Sequence, residues 1–192
     1  MVVAVCLLLD VYSTAKAKPV AASQPAFAKL GQGIDTIALT ETSGRKILWQ
    51  DFRGTPHLLF FGFTHCPVVC PVTVWELDSA LAEIGSPAKD LKIIFITLDP
   101  QRDTPSILAN YFSGFKGRVK PLTGADAEIN KMAKAFEVTS EKVVTGKNEY
   151  TLDHTAMAFL IDANGKVVDT LAFGSSREIA VTRLKALLGL PK

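Results

Sequence analysis

The chain has 192 residues, is 48% hydrophobic and carries a formal net charge of +2. Its apolar content excludes intrinsic disorder, and its near-neutral balance gives no electrostatic footprint for nucleic acid. The length is that of one domain with a tail, and three cysteines (Cys6, Cys66 and Cys70) are too few for a disulfide scaffold.

Met1 to Leu9 is an apolar run ended by Asp10, too short to span a bilayer. It has the character of an export signal, with Ala15-Lys16-Ala17 as a small-x-small cleavage pattern, although no basic residues precede it. The run reads as a leader or anchor remnant, with an ordinary N-terminal strand as the alternative. Cys6 suggests lipidation but lies too near the start for a normal signal. Lys16 to Ala28, rich in Ala, Lys, Pro and Ser, reads as a linker. The expected division is residues 1–30 as leader and linker and residues 31–192 as the folded domain.

Ile34 to Leu39 and Ile47 to Trp49 read as strands around a turn at Glu41 to Lys46, an opening hairpin. After a turn at Asp51 to Gly54, Leu58 to Phe63 is apolar or Gly throughout, the pattern of a strand buried on both faces. Val74, Leu77, Leu81 and Ile84 fall at helical spacing and predict a helix over Val72 to Ile84, stopped by Gly85 and Pro87. Leu91 to Leu98 is a second buried strand. The right-handed crossover between them sets the loop after each at the same edge of the sheet.

The second loop, Asp99 to Pro105, is dense in charge and proline. Asp103 or Thr104 can cap a helix with Pro105 at its first position. Arg102 and Asp103 read as an ion pair fixing this loop, or else as a wall of a metal pocket or a docking surface. A short helix follows to Phe115. Val119 to Thr123 reads as an edge strand because it contains Pro121. Asp126 to Phe136 reads as a helix, and Val138 to Val144 as a strand turned at Gly146 to Asn148 toward Tyr150. Thr155 to Ile161 and Lys166 to Phe173 pair about the turn signal Asp162-Ala163-Asn164-Gly165. Ser175 or Ser176 caps a last helix, Arg177 to Leu188. The fold class is α/β: a thioredoxin-like plan, a central mixed sheet flanked by helices, with an N-terminal β-hairpin and an insertion between its halves.

Cys66 and Cys70 stand where the first buried strand opens toward a helix, the end of an α/β strand where sites usually lie. Four residues of helix rise about 6 Å, within the Cα separation a disulfide accepts. The same pair can therefore bind a soft metal when reduced or close when oxidised. A helix N-terminus favours thiolate, and Pro67 and Pro71 build a rigid turn; the bland alternative is two buried structural cysteines. Of the three histidines, His57 heads the buried strand and reads as a surface or strand-end residue. His65 abuts Cys66, where it can tune its pKa or bind metal. His154, in Tyr150-Thr151-Leu152-Asp153-His154-Thr155, stands apart.

Three motifs in order, F-G-F-T-H-C-P-V-V-C-P, L-D-P-Q-R-D-T-P and D-H-T-A-M-A-F-L-I-D, resemble the Sco/SenC family, copper-handling proteins of cytochrome oxidase assembly. Leu122 to Gly124 and Asp162 to Lys166 also fit, and the likeness runs from about Gly33 to the last helix. The resemblance implies a thioredoxin-like copper metallochaperone, rather than an enzyme, with metal ligands Cys66, Cys70 and His154. Two thiolates and an imidazole suit copper(I), whereas a structural zinc site would take four protein ligands. Copper(II), the second oxidation state to consider, would need a further ligand.

The chain departs from the family pattern at Val68, where an Asp is common, and at Thr155, where Ser is common. Val68 makes the loop more apolar and is expected to bias the site toward copper(I). The implied cargo recipient is the dinuclear copper centre of cytochrome c oxidase, on its copper-site subunit. A periplasmic copper donor and a thioredoxin-like reductant are the other partners. The alternative function is a thiol–disulfide reductase that keeps the oxidase cysteines reduced, with Cys66 attacking and Cys70 resolving. A peroxidase-like reading would need Thr64 and Arg102 beside the thiolate. The implied location is the cell envelope on the periplasmic side, free or tethered to the inner membrane; the alternative is the mitochondrial inner membrane facing the intermembrane space.

Overall fold

The computed structural model describes residue 27 and residues 29–115, 117–147 and 149–191. The segments read above as leader and cleavage pattern, Cys6, and nearly all of the expected linker lie outside the described residues. Among these residues no helix is long and apolar enough to cross a membrane.

Seven strands form one sheet in the order β2-β1-β5-β4-β3-β8-β9. They are β1 (Ala38–Glu41), β2 (Lys46–Leu48), β3 (His57–Gly62), β4 (Lys92–Thr97), β5 (Val119–Thr123), β8 (Met157–Ile161) and β9 (Val167–Ala172). A separate two-stranded hairpin comprises β6 (Ser140–Gly146) and β7 (Glu149–His154). The helices are α1 (Val69–Ile84), α2 (Pro105–Tyr111), α3 (Asp126–Ala135) and α4 (Arg177–Leu187).

β3 is buried along its whole length because it lies between β4, parallel, and β8, antiparallel. Successive side chains on a strand point to opposite faces. Leu58 and Phe60 join a core with Cys70, Val74 and Leu77 of α1, Leu108 of α2 and Leu184 of α4. Leu59 and Phe61 join a second core with Ile129 and Met132 of α3 and with Trp49. This is the helix-covered mixed sheet, with its opening hairpin, that the thioredoxin-like plan requires.

Several expected boundaries move, each for a local reason. α1 begins at Val69 rather than Val72, because Pro71 in a first turn gives up only an N–H that has no intrahelical acceptor. The first strand is Ala38–Glu41 rather than Ile34 to Leu39: Ile34 and Ile37 are buried in a turn closed by the Ile37 N–H to the Ile34 carbonyl at 2.9 Å. β5 is not the sheet edge: β1 pairs with it at Leu122 and Thr123. That pairing ends before Pro121, which therefore has a strand neighbour on the β4 side only. The helix from Pro105 stops at Tyr111, and a short 3-10 turn, Ser113–Phe115, completes the predicted span. Thr104 and Ser176 act as the caps, their hydroxyls accepting from Ile107 N–H at 3.4 Å and Ile179 N–H at 3.3 Å.

Candidate metal centre

The site is built where β3 ends. Gly62 closes the strand, a turn carries Thr64 to Val68, and Cys70 is the second residue of α1. Val68 stands at the N-cap and contributes no side-chain acceptor, while Pro71 has no N–H to offer. The Cys70 N–H in this first turn has no intrahelical acceptor, and the Cys66 sulfur accepts it at 3.3 Å. Cys66 thus does for α1 what a serine or aspartate cap does elsewhere. On the strand side, a Cβ at Gly62 would meet Cys70 Sγ and Phe95 Cε2, each at 2.9 Å. Only glycine lets the sulfur lie this close to β3.

Both thiols are free and buried, Cys66 at 9% and Cys70 at 1% exposure. The turn above them is exposed, Val68 at 56%. Burial pushes the Cys70 thiol far above its ordinary value, and the negative charge that Cys66 and Asp103 can carry adds to this. A hydrogen bond from the Phe63 backbone opposes it without prevailing. The expected gain of thiolate character from the helix N-terminus is therefore overridden at Cys70, because desolvation is the larger effect.

His154, at the end of β7, places Nε2 3.5 Å from Cys70 Sγ. Its Nδ1 lies 3.0 Å from the Thr155 carbonyl, so Nδ1 carries the proton and donates it there. Nε2 is left with its lone pair toward the sulfur. Burial lowers the His154 pKa, outweighing the Thr155 hydrogen bond and the Asp153 charge. Phe63 and Phe60 hold the ring edge-on, at centroid distances of 5.8 and 6.4 Å. The result is a neutral thiol donating to a neutral imidazole, an arrangement in which a soft metal ion can take the place of the shared proton.

Asp103 is fully buried and accepts from the Thr64 N–H at 3.0 Å, the Thr64 hydroxyl at 2.5 Å and the Thr97 hydroxyl at 2.6 Å. It pins the cysteine turn to the end of β4. The expected Arg102–Asp103 pair does not form: Arg102 pairs with Asp99 and donates to the Tyr150 carbonyl. The Thr64 hydroxyl is thus committed to Asp103, and the Arg102 guanidinium to Asp99 and Tyr150, which gives the peroxidase reading no support. His65 is exposed, with Thr64 at 3.2 Å and Asp103 at 3.9 Å as its polar partners. His57 begins β3 but is buried, at 4% exposure, between Trp49 and Phe52. It is a strand-end residue and not a surface one.

Sequence reasoning missed Gly62, Tyr111 and Tyr150. A glycine inside a run of large apolar residues was the available signal for a close approach at Gly62. The Tyr111 hydroxyl is buried without a hydrogen-bond partner. Burial, with Cys70, Cys66 and Asp103 nearby, raises its pKa to about 12. Among the described residues no three His, Cys, Asp or Glu side chains form a ready-made metal cage. The formed element is the Cys70–His154 pair, to which Cys66 is tied through the Cys70 N–H. A cleft of about 780 Å³ lies elsewhere, around Phe52 and His57 at the opposite end of β3. A site for a single ion needs no such volume.

The SCO1/SenC family model matches residues 33–189. The chain belongs to the SCO1/SenC family. Within it, this chain is 36% identical over 136 residues to the human mitochondrial SCO1 homolog, covering 69% of this chain and 45% of that protein. It is 32% identical over 146 residues to Schizosaccharomyces pombe sco1, covering 74% of this chain and 56% of the other. This SCO1/SenC chain thus spans about half the length of these relatives. Among solved structures, Bradyrhizobium japonicum ScoI with copper bound is 38% identical with a TM-score of 0.72, over 79% of this chain and 96% of that one. Copper-bound yeast Sco1 is 27% identical with a TM-score of 0.71, over 78% and 84%.

Proposed function

We propose that this protein is a copper metallochaperone that binds copper(I) through Cys66, Cys70 and His154. The observation that carries this reading is the 3.5 Å approach of His154 Nε2 to Cys70 Sγ, with Nδ1 committed to the Thr155 carbonyl. The copper-bound Bradyrhizobium and yeast relatives support copper as the cargo. Two sulfurs and one nitrogen form a soft set that suits copper(I). Three ligands also leave the ion open to a fourth from a recipient, as transfer requires. Loading releases the Cys66 and Cys70 thiol protons, so affinity falls as pH is lowered. Because the three side chains do not form a finished cage, copper draws Cys66 in toward the Cys70–His154 pair. The exposed turn at Pro67 and Val68 is the side from which a donor or recipient reaches the ion.

The proposed recipient is the copper-site subunit of cytochrome c oxidase during its assembly, with copper supplied by a periplasmic donor. The proposed setting is the periplasmic side of the cell envelope, and the folded unit is residues 31–192. Titration of the reduced chain with copper(I), in competition with a chromophoric chelator, tests the reading. One tightly held copper per chain, weakened by both His154→Ala and Cys66→Ser, is the expected result. Binding that needs the cysteines but ignores His154 would reject it.

The greater exposure of the Cys66 residue, 9% against 1% for Cys70, favours a second activity, thiol–disulfide reduction. Cys66, the more accessible, attacks a target disulfide and releases one target thiolate. Cys70 then displaces the other from the mixed disulfide. The target gains two electrons, the chain ends with a Cys66–Cys70 disulfide, and a thioredoxin-like reductant restores it. His154→Ala should largely spare this activity.

A further inference from the structure

His154 reaches the Cys70 sulfur from a hairpin that shares no ladder with the main sheet. Its position must therefore come from side-chain contacts and from its base, where the Thr155 N–H meets the Thr139 carbonyl at 3.1 Å. Alternation along β7 puts Tyr150, Leu152 and His154 on one face. His154 meets Cys70, and Leu152 packs against the core that contains Cys66 and Cys70. Tyr150 meets the loop after β4. There the Arg102 guanidinium lies 3.6 Å from the Tyr150 ring centroid, and Arg102 Nη1 donates to the Tyr150 carbonyl at 2.9 Å. Arg102 Nε donates to Asp99, and the Tyr150 hydroxyl donates to the same carboxylate at 2.9 Å. Asp99 is itself held, its N–H donating to the Thr97 hydroxyl at 2.9 Å. The three residues close a ring of contacts between β4 and the strand that carries His154.

We propose that Arg102, Asp99 and Tyr150 form a latch that holds the β6–β7 hairpin where His154 faces Cys70, making Arg102 and Tyr150 positioning residues for copper capture. The proposal rests on the ligand reading given above. Arginine suits the role where lysine would not: its planar fork stacks on the ring while donating in two directions at once. An unlatched hairpin spends less time in the competent position, and apparent affinity falls in proportion to that fraction.

The test uses the full chain, with copper(I) as the probe and a competing chelator. Tyr150→Phe keeps the stacked ring and removes only the bond to Asp99; Arg102→Lys keeps the charge and removes the fork. Each is made in the wild-type and His154→Ala backgrounds. Each should weaken copper(I) binding about tenfold in the wild type, which corresponds to the loss of one or two hydrogen bonds, and leave the His154→Ala protein unchanged. In the copper-free protein, amide exchange over residues 149–154 should accelerate while β3 stays protected. No loss in the wild type, or an equal loss in both backgrounds, would overturn the latch. If His154→Ala alone leaves copper affinity intact, the ligand reading fails instead, and the latch with it.

Discussion

Gly62 and Cys70 are fitted so closely that a methyl group on the glycine would stand 2.9 Å from the cysteine sulfur. Gly62→Ala must push Cys70 or Phe95 aside in a packed core. Overpacking of this kind costs about 1–3 kcal/mol. The variant should unfold at lower urea concentration than the wild type, and it should bind copper(I) more weakly because Cys70 no longer sits opposite His154. Unchanged stability would show that the sulfur has room to retreat.

Asp103 takes three hydrogen bonds from two threonines with no exposed surface of its own. Asp103→Ala leaves the Thr64 N–H and two hydroxyls seeking partners in a buried place. A destabilisation of about 2–4 kcal/mol is expected, measured by denaturant unfolding. Asp103→Asn keeps the shape and should lose less. If the alanine variant were as stable as the wild type, the cysteine turn would not depend on this carboxylate.

Val68 occupies the N-cap of α1 without capping it. Val68→Asp supplies an acceptor that competes with the Cys66 sulfur for the Cys70 N–H. The helix should gain about 1 kcal/mol, and a carboxylate beside the turn should favour copper(II) relative to copper(I). Parallel titrations with both oxidation states read this directly, and an unchanged ratio would remove the bias assigned to valine.

Two histidines, His57 buried and His154 half-buried, make the copper-free protein sensitive to acid. Burial lowers the pKa of both His57 and His154 from the ordinary 6.5. A group whose folded pKa is depressed stabilises the fold fully above its unfolded value and loses that contribution as pH falls through the folded value. Stability should therefore decline below about pH 6.5. Urea midpoints compared at about pH 7 and about pH 5 should differ more for the wild type than for His57→Leu. Equal slopes would mean that His57 is not among the responsible groups.

The parts of this fold written in local pattern are legible in the sequence alone. β3 shows itself as an unbroken apolar run, α4 by its serine cap, and the β8–β9 hairpin by Asp162 to Gly165. The parts that are not legible depend on distant partners. Pro121 marks an edge in most sheets, yet here a two-residue pairing with β1 covers the strand beyond it. Arg102 and Asp103 are adjacent and opposite in charge, which suggests a pair. The threonines at 64 and 97 and the ring of Tyr150 instead give each its own partner. Cys70 follows the same rule: its place in the first helical turn is readable, but its burial is not, and burial decides its protonation.

X-ray absorption at the copper edge of the copper(I)-loaded full chain tests the central claim most directly. Two sulfurs and one imidazole nitrogen should surround each copper, and His154→Ala should lose the nitrogen while keeping both sulfurs. A wild-type site with sulfur alone, or a nitrogen that persists without His154, would contradict the assignment of Cys66, Cys70 and His154 as the copper ligands.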